Sequence, residues 1–208
     1  MKDSRPKKVG RKQRFNADDV VKAALEIGVH TFTMNDIASE IGVAAPAVYR
    51  IFSGRQEVVE VAIQRALKEF DPVEGGLNYQ ATLNVFHERL NKLLDKYEGL
   101  AYELVGDPRL ALWGAPAFEA AISNVMADGF DQDTAAFLVA CVAGQTCQLH
   151  ITYTDGPESV DEDASARFER DTPLTAHFVE GLLERRDDYK TPRFLTVLLE
   201  WAANHRQG

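Results

Sequence analysis

Apolar residues recur along this chain at intervals of three and four, and no run shows the period of two that marks a half-buried strand. The pattern predicts an all-α fold. A first helix opens at an Asn16 cap, carries Asp18 and Asp19 in its first turn, and sets Val20, Ala24, Ile27 and Gly28 on one face before ending ahead of Thr31. Thr33 caps a second helix, with Asp36 placed to close a capping box and Met34, Ile37, Ala38 and Ile41 as the apolar stripe. Gly42 breaks it. A third helix is predicted over residues 44–52, with Val48, Ile51 and Phe52 facing inward, and a fourth over 54–70, ended by Asp71, Pro72, Gly75 and Gly76.

Beyond that break the pattern predicts an amphipathic helix over 78–97, a short one over 100–105, one with Pro116 in its first turn closed by Gly129, and a long apolar one over 131–153. An acidic stretch, 155–163, has no packing face and reads as a solvated linker; helices over 174–186 and 192–205 complete the chain. The organisation expected is a basic arm (1–14), a small three-helix domain (15–60) and a larger helical domain (61–208).

Charge changes this picture by its position. The total of −9 argues against a nucleic-acid binder, yet residues 1–70 hold 12 Lys and Arg against 9 Asp and Glu, and the remainder holds 11 against 23. Seven bases and one acid fall within the first 14 residues, an electrostatic arm ahead of the small domain. The plainer reading is a solubilising tail. No stretch approaches the roughly 20 uncharged apolar residues of a membrane span, and the basic N-terminus is not followed by the apolar run of a secretory signal. A cytoplasmic protein is expected, with no membrane partner. Cys141 and Cys147 lie about 240° apart around a helix and read as reduced core residues.

The segment 33–52, TMNDIASEIGVAAPAVYRIF, has the physics of a helix-turn-helix. Gly42 supplies a left-handed turn between two helices that cross steeply, Ile37, Ala38, Val43 and Val48 fill the seam, and small Ala38 allows close approach. Such a unit presents its second helix to the major groove of DNA. Thr33, Asp36, Ile37, Ala38, Gly42, Val43, Val48, Tyr49 and Phe52, followed by Arg55 where lysine is usual, together resemble the tetracycline-repressor family of bacterial regulators. The resemblance implies phosphate contacts from Thr33 with Asn35 beside it, from Tyr49 and from Arg55. It also implies a recognition surface of Ala44, Ala45, Pro46, Ala47 and Arg50. Of these only Arg50 can pair bidentately with guanine; its alternative is a solvent-exposed or ion-paired side chain. Ala44 stands where a serine often caps the third helix, which implies a weaker cap, and Gly54 replaces another such serine, leaving Ser53 to serve. The arm, with Arg11, Lys12 and Arg14 nearest the first helix, either enters an adjacent minor groove or attracts DNA without order.

The later chain resembles the family's tetracycline-binding repressors at 93–99 (LLDKYEG), at Asp128-Gly129-Phe130 and at 192–201 (PRFLTVLLEW). The resemblance implies a homodimer whose interface includes Phe194, Val197, Leu198 and Trp201; the alternative is that this stripe packs inside its own domain. Leu67, Val85 and Glu103 stand where those repressors carry drug-binding histidines and asparagine, and Arg89 replaces a phenylalanine, so the effector expected is not tetracycline. A different small molecule is expected near Phe86, Arg89, Tyr102, Glu103, Trp113, Phe118, Val139 and Ala143, each of which is otherwise plain core. Arg89 and Glu103, if buried, need partners, and a polar ligand group is one.

The function this implies is a DNA-binding transcriptional regulator, a ligand-released repressor acting on double-stranded DNA. Two alternatives are kept: a regulator without an effector, and a small helical enzyme. Against the enzyme, there is no G-x-S-x-G elbow, phosphate-cradling loop or H-E-x-x-H, and His30, His87, His150, His177 and His205 form no i, i+4 pair. No catalytic residue, metal site or cofactor is expected.

Overall fold

The computed structural model describes residues 15–155 and 193–206, and among these every regular element is helical. The elements are α1 (Ala17–Ile27), α2 (Met34–Glu40), α3 (Ala45–Val48), α4 (Arg55–Leu67), α5 (Tyr79–Lys96), α6 (Leu100–Gly106), a 3-10 segment (Pro108–Gly114), α7 (Ala115–Ala127), α8 (Gln132–His150) continued by a π turn (Ile151–Asp155), and α9 (Arg193–His205). The basic arm with Arg14, the acidic stretch beyond Asp155, and the helix expected over 174–186 lie outside the described residues.

The capping box expected at α2 forms, and the Asn16 cap of α1 closes into a second one. Asn16 Oδ1 accepts from the amides of Asp18 and Asp19 at 2.7 and 3.2 Å, and the Asp19 carboxylate accepts from the Asn16 amide at 2.8 Å. At α2 the Thr33 hydroxyl accepts from the Asp36 amide at 3.2 Å while Asp36 Oδ2 accepts from the Thr33 amide at 2.8 Å. Each box satisfies amides that the first helical turn leaves without partners.

The α2–α3 turn closes at Gly42 (φ +68°), where the Val43 amide reaches back to the Ala38 carbonyl at 2.8 Å. Helix α3 is shorter than the pattern predicts. Ala44 provides no side-chain cap, and after Val48 the backbone tightens into i to i+3 bonds, Arg50 to Ala47 (3.3 Å) and Ile51 to Val48 (2.9 Å). Ser53 and Glu57 then open α4, the Glu57 carboxylate accepting from the Ser53 amide (2.6 Å) and hydroxyl (2.8 Å).

Val20, Ile37, Val48, Val58, Val59 and Ala62 form the fully buried centre of the N-terminal head. Helix α4 runs unbroken across the expected boundary at residue 60, packing along α1 on one side and against the 3-10 segment on the other. In the C-terminal body α5 and α8 form the central pair, flanked by α6 and α7. Between them lies a buried polar line. Thr146 donates to the Val142 carbonyl (2.6 Å) and lies 2.8 Å from His87 Nδ1, and His87 Nε2 is 2.9 Å from the Asn91 side-chain amide. These contacts make His87 a hydrogen-bonded histidine of the core.

The continuous helix from Gln132 to Thr154 is, by length and composition, long and apolar enough to cross a membrane, a test that the core helix of a soluble protein also passes. Its apolarity also has an internal use, because Ala135, Leu138, Val139 and Val142 are buried against the body.

Candidate nucleic-acid interface and ligand cavity

Thr33, Asn35, Ala44, Pro46, Tyr49 and Arg50 are exposed on one region of the head, and Ala45 and Ala47 are half-buried between them. The seam under this surface is closed by Val48, which is fully buried. Arg50 is held by the short turn after α3 and not by a longer helix, and its guanidinium is free to extend into solvent. Thr33 is more committed than its type alone implies. Its hydroxyl donates to Asp36 Oδ2 at 2.7 Å and its amide donates to the same oxygen, so both donors serve the capping box. The hydroxyl, then the amide, hold the Asp36 carboxyl below the usual aspartate range.

Arg55 turns towards the protein. Its Nε donates to the Phe32 carbonyl (3.1 Å) and its Nη2 to the carbonyls of Val29 (3.1 Å) and His30 (2.7 Å), with the guanidinium over the Phe32 ring at 4.9 Å. These groups close the chain after α1. The phosphate contact expected of this residue therefore competes with three internal bonds.

Head and body meet where α1 ends. The Val29 amide donates to the Glu98 carbonyl at 2.8 Å, and Gly99 (φ +79°) lies so near that a Cβ there would come within 2.6 Å of the His30 backbone nitrogen. The His30 ring stacks on Tyr102 (4.7 Å between centroids, planes 14° apart), and its Nδ1 is 3.1 Å from Glu103 Oε1, which is also 3.6 Å from Arg55 Nη2. Tyr102 and Glu103 were expected in a ligand pocket; they form this junction instead, because α6 presents them to the head.

An apolar cavity of about 490 Å³ opens between α4, α5, α6, the 3-10 segment, α7 and α8. Of the residues expected there, Phe118 and Ala143 line it. Phe86 stands behind the wall in an aromatic cluster, 5.1 Å from Phe70 and 5.2 Å from Phe118 between centroids. Val139 is fully buried in the core and does not line it. Arg89 is outside it as well, tied to the Glu74 carboxylate and the Pro72 carbonyl. Trp113 is 40% exposed and lines a separate, more polar cleft with Gln56 and Glu60. The sequence reading missed Leu104, Val105, Pro108 and Ala111, because the 3-10 segment that carries the last two has no helical periodicity to reveal it. Gln145 and Gln148 were missed too, being polar positions on an apolar helix.

Of the expected dimer stripe, Val197 and Trp201 are exposed at 64% and 41%, beside Phe137 of α8, which is 55% exposed and 6.4 Å from the Trp201 ring. Phe194 and Leu198 are half-buried against the body, Phe194 meeting the His87 ring edge-on. Leu195 and Ala202 face fully inward. Cys147 is buried, which pushes its thiol up to about 12, and the half-buried Cys141 is raised by the same cause.

Residues 21–62 match the family model for bacterial regulatory proteins of the tetR family. An HTH-type transcriptional regulator of Bacillus subtilis (strain 168), YvaF, is 26% identical over 70 residues, which are 34% of this chain and 37% of that protein. Among solved structures, the TetR family protein ActR of Streptomyces coelicolor, bound to (S)-DNPA, superposes with a TM-score of 0.69 over 94% of this chain and all of that one, at 15% identity. A variant of TetR from Acinetobacter baumannii AYE, in complex with minocycline, gives 0.65 over the same shares at 17% identity. At such identities the superpositions establish the fold.

Proposed function

We propose that this chain is a transcriptional regulator acting in the cytoplasm, a reading supported by the match of residues 21–62 to the model for bacterial regulatory proteins of the tetR family and by a fold shared with members of that family. It binds a palindromic operator as a homodimer and releases it when a small molecule other than tetracycline enters the cavity. The observation that carries the reading is the exposed surface of Ala44, Pro46, Tyr49 and Arg50 on a helix-turn-helix closed beneath by buried Ile37, Ala38 and Val48.

A twofold assembly places two such surfaces about 34 to 36 Å apart, one turn of DNA. The exposed Phe137, Val197 and Trp201 on α8 and α9 support pairing through those helices, in the manner of a four-helix interface. The basic arm supplies sequence-independent attraction to phosphates. Arg50 reads a base edge, Tyr49 touches the backbone, and Arg55 chiefly fixes the end of α1 from which α2 departs.

Release follows from the position of α6. Leu104 and Val105 line the cavity, while Tyr102 and Glu103, just before them on the same helix, hold His30 and Arg55 of the head. A ligand that displaces α6 changes the head's seat, and with it the spacing of the two reading surfaces. Leu67 offers no ligand to a drug-bound metal at the cavity wall, which supports an effector different from tetracycline.

The test is a gel-shift titration on the DNA flanking the chain's own coding region, with sedimentation to give the oligomeric state. A dimer that binds a palindrome there, with affinity falling steeply as salt rises, is expected. A monomer that binds no duplex in dilute buffer overturns the proposal.

A further inference from the structure

We propose that the cavity selects an uncharged, largely apolar small molecule and rejects ligands that carry a formal charge. The inference rests on reading that cavity as the effector site. Its volume of about 490 Å³ suits a drug-sized compound. Leu67, Phe70, Leu90, Leu104 and Phe118 give it apolar walls, and among the described residues that line it no Asp, Glu, Lys, Arg or His is present.

Three charged side chains on neighbouring elements are engaged elsewhere. Arg89 is tied to Glu74 and to the Pro72 carbonyl, Glu103 to His30 and Arg55, and Asp107 to Arg109. A charged group entering the cavity would lose its hydration and meet no counter-ion there, and a desolvation penalty of that kind is not recovered. The polar atoms on the lining are neutral. Gln145 and Gln148 lie three apart on the solvent side of α8, and each amide can both donate and accept. Cys147 adds a buried thiol that stays protonated, so it offers neither a thiolate to pair with a cation nor a nucleophile. Hydrogen bonding is thus confined to the mouth, and shape and apolar area decide the rest.

Two fluorescent probes with one skeleton separate charge from shape: N-phenyl-1-naphthylamine, which is neutral, and 1-anilinonaphthalene-8-sulfonate, which adds a sulfonate. The full chain is titrated with each, as the parent and as two cavity-filling variants from opposite walls, Ala143→Trp and Ala111→Trp, whose folding is checked by circular dichroism. The neutral probe is expected to bind at least tenfold more tightly than the sulfonate and to be lost from every folded variant. If the sulfonate binds as tightly as the neutral probe and both are lost from the filled variants, charge exclusion is wrong while the effector site stands. If the neutral probe does not bind the parent, or binds the filled variants equally well, the cavity admits no small molecule from solution. Both readings then fall.

Discussion

Gly99→Ala tests the junction between head and body more sharply than any change within either. The left-handed conformation at φ +79° costs an L-residue roughly 1–2 kcal/mol. A Cβ would then meet both the Cβ and the backbone nitrogen of His30 at 2.6 Å, whereas ordinary contact begins at 3.4 Å. Backbone cannot swing aside as a side-chain tip can, so the two segments must separate. The bond across them, Val29 amide to Glu98 carbonyl at 2.8 Å, is the first to stretch, and losing it costs about 1 kcal/mol more. The expected destabilisation is about 2–4 kcal/mol, measured by urea unfolding, with weaker operator binding because the head is reseated. Gly42→Ala is the control: its φ of +68° is similar, but nothing lies within 4 Å of the added carbon, so only the backbone cost applies. If Gly99→Ala is no more destabilising than Gly42→Ala, the close approach is not real and the junction is not built this way.

Arg50→Ala should leave the thermal melt unchanged, because the side chain is exposed, and should cost about 1–3 kcal/mol of discrimination at one base pair of the operator, read by anisotropy on single-site DNA variants. The Asp36 carboxyl, held low by the Thr33 hydroxyl and amide, contributes stability that is complete above the unfolded aspartate range and is lost as pH falls through the lower folded value. Thr33→Ala should therefore flatten the acid limb of the stability profile as well as lower the melting temperature, as followed by circular dichroism from neutral pH downwards. Burial raises both thiols, Cys147 further than Cys141, so at mildly alkaline pH a thiol reagent should modify Cys141 first and reach Cys147 only as urea opens the body. Equal rates for the two in the folded protein would contradict the packing around α8.

The relation between sequence and structure divides by range. The caps at Asn16 and Thr33 were legible, with the Thr33–Asp36 box, because such partners lie within three residues; the Asn16–Asp19 box has the same spacing. The turn at Gly42 was legible for the same reason, since its backbone bond spans only Ala38 to Val43. The length of α3 was not, because apolar spacing continues through Ile51 and Phe52 while the missing cap at Ala44 and the tightening after Val48 leave four residues helical. Aromatic residues of the body were recognised as apolar, but periodicity could not tell Phe118 on the cavity wall from Phe86 behind it.

By itself, the chain's order of residues determined an all-helical molecule with a helix-turn-helix between Thr33 and Phe52, because caps, glycine turns and apolar stripes act over a few residues and carry their physics with them. Where the charges end up was decided only in three dimensions. Glu103 finds His30 across 73 positions, and Arg89 turns away to Glu74, leaving the cavity without either. Such pairings depend on how whole helices pack, a property that no local window of sequence contains.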